Sequence, residues 1–115
     1  MVLDAQALAN LRQLDPGGQG RLLQRVLDTY RGSLSRLLLQ LGEAQGRADG
    51  AGMRLAVHTL KSSSASVGAR DLSSLCADAE QALREGQLVE VDGLLERLRA
   101  EAARVDKAVQ QLLAI

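Results

Sequence analysis

The chain has 115 residues and a mass of 12.2 kDa, enough for one modest hydrophobic core and not for two, so a single domain over 1–115 is expected. Apolar residues make up 46% and charged residues 24%, which excludes disorder by composition. The 14 basic and 14 acidic residues cancel, and with no Phe, no Trp and a single Tyr there is neither a basic stripe nor a stacking platform, so nucleic-acid binding is excluded.

Leu, Ala, Arg, Gln and Glu dominate while β-branched and aromatic residues are scarce, which predicts an all-α chain. The first element is a short helix over Asp4–Leu14, with Leu8, Leu11 and Leu14 on one side and Asp4 as N-cap. The run Asp15-Pro16-Gly17-Gly18 ends it. A long helix follows over Gln19–Ala44. Its stripe is Leu23, Leu27, Tyr30, Leu34, Leu37 and Leu41, widened by Leu22, Val26 and Leu38, and it presents one apolar face to a bundle. Gly32 interrupts this helix at a cost of about 1 kcal/mol relative to Ala and reads as a close-packing or mild bend site. Gly46, Asp49, Gly50 and Gly52 mark the next connection.

The third helix is expected over Ala51–Ser66. At about 100° per residue, Met53, Ala56, Leu60, Ser63 and Val67 fall on one side, and Arg54, His58, Lys61, Ser62 and Ala65 on the other. Gly68 permits the following turn. A fourth helix over Ala69–Glu85 carries Leu72, Leu75, Cys76, Ala79 and Leu83 inward, with Gly86 as its C′ residue. The last helix, Leu88–Leu113, repeats the seam at Val91, Leu95, Leu98, Ala102, Val105, Val109 and Leu112. Four long amphipathic segments with short Gly-marked connections predict an antiparallel up-and-down four-helix bundle, with the short N-terminal helix capping one end. Short loops favour closure within one chain over a coiled coil, so a monomer is expected.

Other chemistry is limited. The lone Cys76 excludes a disulfide framework and a Cys-rich metal site, and one His without His-x-x-x-His spacing argues against zinc; no metal or cofactor is expected in this chain. No apolar stretch approaches a bilayer span, Leu37–Leu39 being broken by Gln40. The N-terminus has no basic region followed by an apolar run. No membrane contact and a cytoplasmic setting are expected. The single unusual position is His58, mid-helix on the side away from the seam, with Lys61 one turn on and the small residues Ser62 and Ala65 beside it. An exposed imidazole is poised near neutral pH to attack phosphorus and then to leave; geometry alone equally allows an ordinary solvated helix face.

The stretch Val57–Glu80, VHTLKSSSASVGARDLSSLCADAE, resembles the signature of histidine phosphotransfer (HPt) domains. His58, Leu60, Lys61, Gly68, Ala69, Leu72, Leu75, Cys76 and Glu80 fall at matching offsets, and the helix layout matches over nearly the whole chain. The position after Lys61, most often Gly in that family, is Ser62 here, which narrows the approach of a partner slightly. The resemblance implies a phosphorelay intermediate that accepts a phosphoryl group on His58 from a receiver-domain aspartate and passes it to another. His58 is then phosphorylated at Nε2, Glu80 accepts from Nδ1–H, and Lys61 meets the phosphoryl oxygens. Arg54 and Arg84 add positive potential. Leu55, Ser62 and Ala65, with exposed positions of the second helix, form the docking patch, and Gly68 serves the turn. No ATP site of its own is expected, since neither a Gly-rich phosphate loop nor a Walker pattern is present. The partners implied are response-regulator receiver domains, which bring Mg2+, and a hybrid histidine kinase to which the domain is linked or from which it is separate. The alternative is a non-catalytic helical adaptor that binds a receiver.

Overall fold

The computed structural model describes residues 2–114. These form five helices: α1 (Ala5–Gln13), α2 (Leu22–Gly46), α3 (Gly50–Ser66), α4 (Arg70–Arg84) and α5 (Leu88–Leu113). Among the described residues there is no strand. α3 packs between α2 and α4, and α5 between α4 and α2, which closes the expected antiparallel bundle, 48 × 22 × 19 Å in extent. No described helix is long and apolar enough to cross a membrane.

The seams do the packing. Leu27, Leu41, Leu60, Leu72, Leu95 and Leu98 are fully buried, and each contributes about 1.5–3 kcal/mol by leaving water. Every seam residue read in α5 is buried except Leu112, which is partly so. In α4 Leu72, Cys76 and Ala79 are buried as expected, but the inner face turns toward Glu80 and Ala82, which are buried too, while Leu75 and Leu83 are only partly so. In α3 the inward serine is Ser64 and not Ser63. Its hydroxyl meets Tyr30 Oη at 2.8 Å, and burial pushes the Tyr30 phenol up to about 12.

α2 begins at Leu22, three residues after the sequence reading places it. Arg21 adopts a left-handed conformation, and the Asp15 carboxylate caps the helix from seven residues upstream, accepting from Leu22 N at 3.1 Å and Gly20 N at 3.3 Å. Gly32 is not a close-packing site: α2 runs through it, and a Cβ there would meet nothing within 4 Å. Asp4 caps α1 as expected, its carboxylate accepting from Ala7 N at 3.1 Å. α1 is fastened to the α3–α4 turn, where Asp4 N donates to Gly68 O at 2.8 Å and Arg70 pairs with the Asp4 carboxylate at 3.1 Å.

Candidate phosphoryl-transfer site

α3 and α4 form an antiparallel hairpin around Gly68. His58 lies ten residues before that glycine and Glu80 twelve after it, so at about 1.5 Å of rise per residue the two reach nearly the same height. Ala56, Val57 and Leu60 face the core and set the rotation that leaves His58 outside, with its side chain 58% exposed. Glu80 sits one turn beyond the buried Cys76, and its side chain is only 7% exposed. Ser73 Oγ donates to the Lys61 carbonyl at 2.9 Å and ties the hairpin together below the site.

Three donors converge on this one carboxylate. His58 Nδ1 lies 2.8 Å from Glu80 Oε2, Lys61 Nζ 2.6 Å from Oε1, and Arg84 Nη2 3.2 Å from Oε2. The Lys61 hydrogen bond, first of all, holds the Glu80 carboxyl below its ordinary value against the desolvation that raises it; the His58 hydrogen bond adds to the lowering. An ionised carboxylate only accepts. Facing such an acceptor, Nδ1 is the ring nitrogen that donates, and Nε2 has no hydrogen-bond partner among the described residues. Beneath the cluster, burial pushes the Cys76 thiol up to about 12, with the Lys61 charge opposing and the Glu80 charge adding.

The other residues of the sequence reading divide. Arg54 and Leu55 line a shallow depression beside the ring, together with Ala51, His58, Glu80 and Arg84. Ser62 and Ala65 are exposed on the same helix face. Lys61 is held on Glu80 in this state and does not stand free to meet a phosphoryl group. Arg84, four residues from Glu80, joins the cluster through a spacing that is legible in the sequence. Gly68 serves the turn between α3 and α4, buried and just beyond the end of α3, ten residues along the chain from His58. A Cβ there would come within 2.9 Å of both Ala7 Cβ and Asp4 N, and its φ is +82°; its work is to seat α1. Tyr30 and Ser64 lock α2 to α3 behind the site, a pairing that spacing does not reveal because a serine run offers no hydropathy contrast.

The family model of the Hpt domain matches residues 22–112. This chain belongs to the Hpt domain family. Phosphotransfer within phosphorelays is the role that this membership carries. Over 98% of its length the chain is similar to histidine-containing phosphotransfer protein B (HptB) of Pseudomonas aeruginosa PAO1, with 26% identity, 95% of that chain covered and a TM-score of 0.89. The HPT domain of an Hpt sensor hybrid histidine kinase from Shewanella shares the fold at 23% identity, with a TM-score of 0.80 over 98% of this chain and 94% of that one. No curated protein matches this Hpt domain.

Proposed function

We propose that His58 is the phosphoryl carrier of this Hpt domain, taking the group from a receiver-domain aspartyl phosphate and handing it to a second receiver aspartate. The observation that carries this reading is the exposed imidazole whose Nδ1–H is bound at 2.8 Å by the nearly closed-in Glu80. The Nε2 lone pair attacks phosphorus, the P–O bond to the receiver carboxylate breaks, and that carboxylate leaves with its electron pair. The ring then carries positive charge, which the adjacent Glu80 carboxylate balances. Glu80 is a positioning residue that fixes ring and tautomer. As phosphoryl oxygens arrive, Lys61 exchanges part of its bond to Glu80 for a charge-assisted contact with them, of the kind worth about 1.5–3 kcal/mol. Mg2+ and the second nucleophile belong to the receiver.

The test is incubation with a labelled phospho-receiver. Label should appear on the wild-type chain in an acid-labile, alkali-stable form, and His58→Gln should abolish it with helical content unchanged, because the side chain lies off the core. Receiver binding without any label on wild type would leave only the adaptor reading.

A further inference from the structure

We propose that the groove between α4 and α5 is a second docking site, independent of the phosphoryl chemistry at His58, which takes an arginine side chain from an extended segment of a partner protein. At its base lies the Glu101 carboxylate. That side chain is only 8% exposed, and it lines a depression of about 460 Å³ whose opposite wall carries Asp71, Ser74 and Asp78. Arg104 donates to Glu101 Oε1 at 3.1 Å, but Oε2 is buried with no hydrogen-bond partner among the described residues. A buried acceptor without a donor costs free energy, which an incoming donor removes. Neither Asp71 nor Asp78 stands in an ion pair among the described residues, so the wall above the orphaned oxygen is also open to a cation.

The lining selects the occupant. The depression runs into a second one, with which it shares Asp78 and Arg97; across both, the carboxylates are Asp71, Asp78, Glu90 and Glu101 and the guanidiniums are Arg97 and Arg104. The groove is therefore net acidic. Among the described residues no three of His, Cys, Asp or Glu are grouped so as to hold a metal ion, which favours a cation that spreads its donors over a plane. A guanidinium does so, and it meets a carboxylate through two parallel N–H···O bonds. Its aliphatic stem lies against Leu75 and Ala100, and Arg104, whose side chain is 66% exposed, swings outward to admit it. The second depression offers Ala82, Gly93 and Leu94 to an apolar side chain. It lies about 10 Å further along the helices, or about three residues of extended chain. That continuity suits a polypeptide and not a free small cation. Asp78 stands two residues before Glu80, about 200° around α4, and the groove shares no residue with the depression beside His58. A protein seated here leaves the imidazole open.

The experiment titrates the full chain with the peptide acetyl-Arg-Ala-Ala-Leu-amide and follows backbone amide signals by NMR. Saturable shifts should appear along 71–82 of α4 and 90–104 of α5, while the signals of Leu55 and His58 stay in place. Citrulline in place of the peptide's arginine keeps the shape and removes the charge; it should weaken binding by about tenfold, as should Glu101→Gln in the protein. Asp78→Asn, a change on the exposed rim that leaves the core untouched, should weaken it by about threefold, and it carries the test by itself if Glu101→Gln disturbs the helices. No saturable shift at millimolar peptide, equal affinity for the citrulline peptide, undiminished binding to both variants, or shifts centred on His58 would each overturn the proposal. Argininamide binding as tightly as the peptide would overturn the protein partner in favour of a free guanidinium ligand. None of these outcomes depends on whether His58 carries phosphate.

Discussion

Among the described residues, Glu80 and Glu101 are the two carboxylates that the bundle nearly closes over, with side chains 7% and 8% exposed. Their surroundings differ. Glu80 receives His58, Lys61 and Arg84 from two helices. Glu101 has only Arg104 of its own helix, at 3.1 Å on Oε1, and its Oε2 is buried with no hydrogen-bond partner among the described residues. Both lost hydration; only one gained a full set of donors. Burial of an acid therefore does not by itself mark a working group. What sets Glu80 apart is the convergence of donors from separate helices, which fixes an imidazole that the bundle leaves in the open.

Substitution should separate the two sites, and the largest difference is expected in transfer. Glu80→Ala frees the ring and should slow receiver-to-His58 transfer by about 10–100-fold, whereas Glu101→Ala should leave it at the wild-type rate; similar losses in rapid-quench assays would dissolve the distinction. Lys61→Ala should cost about tenfold in the same assay, the lower part of the range for a charge-assisted contact, with receiver binding by titration calorimetry unchanged. Glu101→Leu should raise stability by about 1 kcal/mol, because it removes an unpaired buried oxygen, and should move Tm up by about 4 °C. A destabilised Glu101→Leu would show that its carboxylate is satisfied in solution.

The smallest effect is the pH dependence. The Glu80 carboxyl lies below its ordinary 4.5 through Lys61 first, and Asp106 lies below its ordinary 3.8 through Arg31, which binds it at 2.8 Å across α2 and α5. A lowered folded value means that each contribution is complete above the unfolded value and is lost as pH falls through the folded one. Denaturant titrations should thus show an acid limb below about pH 4.5 that Glu80→Gln makes shallower. Tyr30 and Cys76 act in the opposite sense. Both are raised to about 12 from ordinary values of 10.0 and 9.0, so their support is full below the unfolded values and disappears as pH climbs toward 12.

Much of this molecule is legible from spacing. α5 runs over the residues that its seam marks, and the His58–Glu80 pairing follows from the hairpin register and the family signature. The departures share a cause: polar groups acting at a distance along the chain. The start of α2 is set by Asp15 and the left-handed Arg21, which periodicity does not register. Glu80 is turned inward by Lys61 and His58, although a carboxylate in a hydropathy pattern counts as outward, and α4 rotates with it so that Leu75 and Leu83 move to the margin. Ser64 is chosen over Ser63 by the hydroxyl of the one tyrosine. Lys61 reads as a cation awaiting phosphate, and its resting bond to Glu80 emerges only once α3 and α4 are placed side by side.

The sealed Cys76 thiol has a practical use. It sits one turn below Glu80, shielded from solvent and kept protonated, so a maleimide can modify it only during moments when α4 lifts away from its neighbours. Its alkylation rate is a native clock for the breathing of that helix, available without introducing any further cysteine. Timing it before and after treatment with phosphoramidate would measure whether a group loaded at the proposed carrier His58 changes the opening of the hairpin.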